Sequence, residues 1–477
     1  MLFNSPEFLL LFLPVMLAGF ALLLRGRRGA MAAHWLLAGS LFFYAWWDPR
    51  YLPLLLLSIG VNYLLGKALR ESRSKGLLAA GVAFNLGLLG FFKYAGFFAA
   101  TANQLGAVMP VPQLALPLAI SFFTFQQIAY LADARQGKAG QGGILEYALF
   151  VAFFPQLIAG PIVHHREMMP QFARLGGRTR VHALLRANGV FLIALGLFKK
   201  VIVADTLGGI ADPVFAEAQA ASFFDAWTGI LAYTLQLYFD FSAYSEMAMG
   251  LALLFGIRLP LNFNSPYKAS SIGDFWRRWH ITLGRFLRDY LYIPLGGSRA
   301  GVPRTLFALA ATMLLAGLWH GAGWTFVLWG ALHGLYLGAY HLWRRLPWRL
   351  PGALAWGLTF LSVVWAWVLF RAESLADALH LWAAMAGAEG LVLPQTLREP
   401  LGFLDGGVQW AYSPLVTGLE LLLILPLVYI VATQPNVHEL FAKRYRPDWR
   451  WGFAAGGAAS LAVAQLGHYS VFQYWQF

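Results

Sequence analysis

Cysteine is absent from all 477 residues. That excludes disulfides, a thiol nucleophile and any thiolate metal site. Charge is scarce as well. Only 12% of the residues are Asp, Glu, Lys or Arg, where a soluble protein carries about 25%. No phosphate loop, dinucleotide fingerprint, His-x-x-x-His pair or serine-hydrolase elbow occurs, so the residues call for no metal and no permanently bound cofactor. The formal charge of +13 does not point to nucleic acid, because the polar surface is small and the Arg and Lys lie in short loops between apolar runs.

What the chain has instead is apolar sequence: 59% of it is hydrophobic, with a mean hydropathy of +0.59. Phe8 to Leu24 (broken by one Pro and one Gly), Gly76 to Phe92 and Leu415 to Ala432 each approach the ~20 residues that cross a bilayer. The first run is too long for a signal peptide, and its basic residues follow it rather than precede it. The composition therefore predicts an all-α polytopic membrane protein of ten to twelve spans, with residues 1–477 forming a single integral-membrane domain. Arg25, Arg27 and Arg28 follow the first span and place that loop in the cytoplasm, with the N-terminus outside. Lys443, Arg444, Arg446 and Arg450 precede the last apolar stretch, so the C-terminus is expected outside too. The region 376–412, mixed in character, is external by the same alternation.

Three stretches interrupt the apolar pattern. Leu116 to Tyr130 holds Pro117, Ser121, Thr124, Gln126 and Gln127, and reads equally as a kinked helix or a re-entrant element. Phe153 to Ile162 holds Pro155, Gln156, Gly160 and Pro161 and leans to re-entrant. Leu261 to Gly297 is aromatic yet carries Lys268, Arg277, Arg278, Arg285 and Arg288. Irregular or polar backbone at membrane depth is tolerated only against protein or a water-filled cavity, so these are candidates to line a central funnel.

Two histidines lie in or beside such sequence: His280 in Phe-Trp-Arg-Arg-Trp-His-Ile-Thr-Leu, and His320 in Leu-Ala-Gly-Leu-Trp-His-Gly-Ala-Gly. An ionisable side chain at membrane depth is costly and seldom lacks a role, and imidazole moves protons near neutral pH. His320 sits in a stretch otherwise without charge from Leu306 to Tyr340, where burial favours the neutral form that accepts a proton. His280 reads either as a second functional histidine or as an interfacial residue capping a helix. His333, thirteen residues beyond His320, would occupy a well-separated face of one continuous helix and is expected to pack or to hydrogen-bond. Asp240 and Glu246 are buried charges for which salt-bridge partners are the plain expectation.

The run from Trp276 through His280 to Leu283, with Leu287-Arg-Asp-Tyr290, Tyr292-Ile-Pro-Leu-Gly-Gly297 and Leu318-Trp-His320-Gly, resembles the signature of the membrane-bound O-acyltransferases, the MBOAT family. The branch it resembles contains the membrane subunit of alginate O-acetylation. Phe43-Tyr-Ala-Trp-Trp47, Phe92-Lys-Tyr94, Ile120-Ser-Phe-Phe-Thr-Phe125, Phe154-Pro-Gln-Leu-Ile-Ala-Gly-Pro161, Tyr238-Phe-Asp-Phe-Ser242 and Asn262-Phe-Asn264 add to the resemblance, which thins beyond residue 345 until the last six residues.

The resemblance implies acyl transfer, most simply of acetyl, from a cytoplasmic thioester (acetyl-CoA or an acyl carrier protein). His320 is then the expected base, and His280 would orient the acceptor or stabilise the oxyanion. The tail 472–477 resembles a Phe-x-Tyr-x-x-Phe motif whose tyrosine carries the acyl group, which makes Tyr474 the carrier. Without the resemblance, that tail is an aromatic interfacial anchor. Arg277, Arg278, Arg285 and Arg288 are expected either to bind donor phosphates or to supply positive-inside charge against anionic membrane lipids. An extracytoplasmic acetyltransferase or esterase-like partner would finish the transfer onto a polysaccharide such as alginate, at the bacterial inner membrane. D-alanyl transfer, transfer to peptidoglycan, and a transporter or flippase are the alternatives.

Overall fold

The computed structural model describes all residues except 27, 389, 444–447, 467–471 and 473–477, and the side chains of 442 and 443. Arg27, Arg444, Arg446 and Tyr474 thus lie outside the described residues. The described chain is helical, with one two-stranded parallel sheet pairing Val392–Pro394 with Gln409–Ala411 inside the region expected to be external. Among the described residues five helices are long and apolar enough to cross a membrane: Glu7–Arg25, Pro49–Ser72, Lys75–Gln104, Val302–His320 and Gly352–Arg371. Gly29–Ala45 and Leu421–Thr433 are shorter apolar helices. The protein is an all-α polytopic membrane protein.

The chain divides into two compact units. The first comprises Met1–Phe198, Ser242–Leu261 and Pro447–Phe477. Several of its buried polar residues hold helices to one another. Gln127 Nε2 donates to Ser58 Oγ at 2.8 Å, and Tyr147 donates to Gln127 Oε1 at 3.2 Å. Asn85 Nδ2 donates to Asn62 Oδ1 at 2.6 Å. Within the stretch 116–130, residues 116–119 are non-helical and Ile120 begins a buried helix, Ile120–Arg135. The stretch 153–162 does not: it forms a single helical turn, Phe154–Leu157, inside a segment buried without interruption from 147 to 165. Near the tail, Phe472 packs edge-on against Tyr244 with ring centroids 4.8 Å apart.

The second unit comprises Lys199–Phe241 and Asn262–Arg446, and it holds all three of the histidines singled out above. Its centre is a helical hairpin, Val302–His320 and Trp324–Trp343. The first helix starts with Pro303 in its opening turn, where a missing N–H costs nothing. The two helices touch backbone to backbone. A Cβ on Gly317 would strike the Phe326 carbonyl, and one on Gly330 would strike that of Met313. Small residues permit this approach, as is usual for helices in lipid.

The buried charge Asp240 has the plain explanation expected of it. Lys200 Nζ lies 2.8 Å from Asp240 and 2.7 Å from Asp205. Lys200 and Asp240 are each 1% exposed, and a buried cation is tolerated when so paired.

Candidate active site

His320 is the last residue of the Val302–His320 helix and is 2% exposed. Nineteen residues at 1.5 Å each put it about 28 Å from the helix start, which carries Arg304. Aromatic rings enclose it. Trp319, Trp329 and Phe370 have centroids 4.9, 5.2 and 5.2 Å from the imidazole, all meeting it edge to face.

His280 is fully buried. It is the N-cap of the short helix Ile281–Leu287, with a left-handed backbone (φ 43, ψ 52). A non-glycine residue held there is uncommon and must be fixed by its surroundings. What fixes it is Asn262. The amide oxygen of Asn262 accepts from the Thr282 hydroxyl at 2.8 Å and from the Thr282 N–H at 3.3 Å, and lies 3.1 Å from His280 Nδ1. A carbonyl oxygen only accepts, so Nδ1 carries the proton. In the neutral ring Nε2 then bears the lone pair. That tautomer suits accepting a proton or orienting a hydroxyl, and it does not suit donating to an oxyanion.

The structure brings the two histidines to one indole. Trp319 lies 6.4 Å from the His280 ring and 4.9 Å from the His320 ring. Phe241 meets His280 edge-on at 4.8 Å. His333 joins the same cluster through Trp329, whose ring is 5.2 Å from His320 and 4.8 Å from His333. The break at Gly321–Gly323 turns the chain back, so residues that one continuous helix would hold on separate faces converge. Trp329 and Phe370 are members of the site that the sequence did not single out.

The arginines divide. Arg277, Arg285 and Arg288 line one pocket of about 450 Å³ with Trp276, Tyr292, Thr312 and other residues. Arg288 and Tyr292 belong to a π-helical segment, Arg288–Tyr292, a distortion frequent at functional sites. Arg278 is turned elsewhere: its Nε is 2.8 Å from Asp274, and it donates to the Asn264 carbonyl at 3.3 Å. Lys268 is paired with Glu439 at 3.0 Å. Thr312 stands eight residues before His320 on the same helix, about 12 Å along its axis. Among the described residues no three His, Asp or Glu side chains converge as a metal would require.

Comparison with known proteins accords with this helical, histidine-bearing membrane site. The profile of the membrane-bound O-acyltransferase family, MBOAT, matches residues 113–375, a range containing the three histidines and four arginines. The chain is 44% identical over 440 residues to a peptidoglycan O-acetyltransferase of Helicobacter pylori, covering 85% of this chain and 83% of that one. It is 43% identical over 399 residues to a probable alginate O-acetylase of Azotobacter vinelandii, covering 81% and 78%. A more distant relative, a teichoic acid D-alanyltransferase of Streptococcus thermophilus, is 28% identical over 239 residues, covering 48% and 57%.

The protein is therefore an integral-membrane O-acyltransferase, which sets aside the transporter alternative. It belongs to the MBOAT family.

Proposed function

We propose that this enzyme passes an acetyl group from a cytoplasmic thioester, through Tyr474, to an extracytoplasmic partner that acetylates hydroxyls of a cell-surface or secreted polysaccharide. The observation that carries the reading is the pair of buried imidazoles, His280 and His320, each packed edge to face with Trp319. Acyl transfer needs a base for the attacking hydroxyl and a dry environment in which charge development is controlled.

The step balances as follows. His320 takes the phenolic proton of Tyr474 while the phenol oxygen attacks the thioester carbonyl. The new O–C bond forms, the C–S bond breaks, and the thiolate leaves with the proton returned by the imidazolium. His280, with its lone pair on Nε2, orients the incoming hydroxyl. An aryl ester keeps much of the thioester's transfer potential, because a phenol of pKa about 10 is a good leaving group. Acetyl-CoA or an acetylated carrier protein is the donor, its phosphates taken by Arg277, Arg285 and Arg288.

Basic residues concentrate on the cytoplasmic side of membrane proteins. Arg304 and the arginine pocket accordingly face the cytoplasm of the inner membrane, with both termini outside. His320, at the far end of its helix, is reached by the thioester arm from within and by the tail tyrosine from outside. An acetyl group is favoured over D-alanine because the two O-acetyltransferases resemble the chain over four-fifths of its length at over 40% identity, and the D-alanyltransferase relatives over about half of it at under 30%. The peptidoglycan and alginate enzymes are equally similar, so a glycan of either kind fits as the final acceptor.

Intact-protein mass spectrometry after supplying acetyl-CoA tests the reading. A gain of one acetyl group, mapped to Tyr474 and missing from Tyr474→Phe, is expected. Full glycan acetylation by Tyr474→Phe removes the relay.

A further inference from the structure

His333 is fully buried, yet the proposed chemistry does not use it. Trp276 Nε1–H donates to its Nδ1 at 3.3 Å. That contact settles the tautomer: Nδ1 is the acceptor, so in the neutral ring Nε2 carries the proton. Nε2 has no hydrogen-bond partner among the described residues. A buried N–H left unanswered is costly, and an apolar ring of similar size would avoid that cost. Packing alone therefore does not call for histidine here. The Trp276 bond does.

Trp276 has two neighbourhoods. On one side it lines the arginine pocket with Arg277, Arg285 and Arg288. On the other its ring lies 5.9 Å from Trp329, which in turn lies 5.2 Å from His320. Trp276 is thus the wall between the pocket and the rings around the proposed base. Its indole is held by one polar contact to His333 and by edge-on ring packing against His333 at 5.1 Å.

We propose that His333 is a positioning residue that pins the Trp276 indole, so that the thioester arm of a coenzyme A-type donor held by the arginines is aimed at His320. The inference rests on the reading of the arginine-lined pocket as the donor site. It assigns His333 no proton transfer. Freeing the indole leaves the phosphate contacts in place but lets the reacting carbonyl wander, and small misplacements of a reacting atom are expensive in rate.

The test uses the full-length protein in inverted membrane vesicles with radiolabelled acetyl-CoA, counting label transferred to protein and glycan, together with coenzyme A binding to the protein in nanodiscs. His333→Phe is expected to bind coenzyme A as wild type does and to keep the same KM. Its kcat should fall by about fivefold or more, the equivalent of one lost neutral hydrogen bond, with an unchanged pH profile. His333→Gln supplies an acceptor oxygen and should recover most of the rate. If His333→Phe does not fold, Trp276→Phe removes the same bond from the other side and should show the same loss in kcat.

Four outcomes overturn the proposal. Turnover by His333→Phe at the wild-type rate, or turnover by His333→Gln as slow as that of His333→Phe, refutes the pinning role alone. Failure of wild type to bind coenzyme A, or undiminished binding by Arg285→Gln, refutes the donor pocket and takes the inference with it.

Discussion

Replacing Asn262 with alanine is the most informative perturbation away from the histidines themselves. Asn262 is fully buried, and its amide oxygen is the point on which the Thr282 hydroxyl, the Thr282 N–H and His280 Nδ1 converge, at 2.8, 3.3 and 3.1 Å. A neutral hydrogen bond contributes about 1 kcal/mol, so losing all three removes about 3 kcal/mol. Those bonds also hold His280 in its left-handed conformation, which itself stores about 1–3 kcal/mol. Without them the backbone relaxes and the imidazole no longer has Nδ1–H enforced. The account therefore predicts two effects of Asn262→Ala: a lower melting temperature in detergent, and a fall in transfer rate of up to about 10²-fold, the order that misplacing a reacting group by ~1 Å costs. Asn262→Asp, which keeps acceptor oxygens in place, should be the milder variant. Ester content of the isolated glycan and thermal unfolding of the purified protein are the two assays. An Asn262→Ala protein with wild-type ester content and an unchanged melting temperature would refute the reasoning that this amide sets the tautomer and place of His280.

Other outcomes follow from the packing. Gly330→Val drives a side chain into the Met313 carbonyl and should cost at least the ~1–3 kcal/mol of an overpacked site, seen as loss of folded protein from membranes, whereas Gly60→Ala meets open space and should accumulate normally. Lys200→Met leaves Asp205 and Asp240 without their shared cation, a loss of about 3–5 kcal/mol; adding Asp240→Asn should recover part of the lost melting temperature. Arg285→Gln should raise the KM for acetyl-CoA by about tenfold, the order of one charge-assisted hydrogen bond, with little change in kcat, while Arg278→Gln, removed from Asp274 rather than from the pocket, should leave KM near its original value.

Part of the candidate site is legible in the sequence. A histidine in uncharged apolar sequence is conspicuous because lipid makes it costly, and both His280 and His320 prove buried. Trp329 and Phe370 were not legible. A tryptophan in an apolar run looks the same whether it faces lipid or a site, and Trp329, nine residues beyond His320, would lie on the opposite side of an unbroken helix. The hairpin turn at Gly321–Gly323 reverses that geometry. The sequence shows the run of arginines, but it cannot say which members share a face: Arg277, Arg285 and Arg288 line one pocket, and Arg278 does not. Asp240 was visible as a buried charge, yet its partner Lys200 stands 40 residues earlier, beyond any local pattern. In the sequence Asn262 stands out only as part of a motif; that its oxygen holds His280 depends on a turn of chain that propensities do not reveal.

The most direct measurement is glycan acetylation by His320→Ala in cells lacking the native enzyme, with membrane levels of the variant matched to wild type. The account predicts folded protein and no ester above background. Wild-type ester content from that variant would contradict it, because no other residue has been assigned the proton that the transfer must remove.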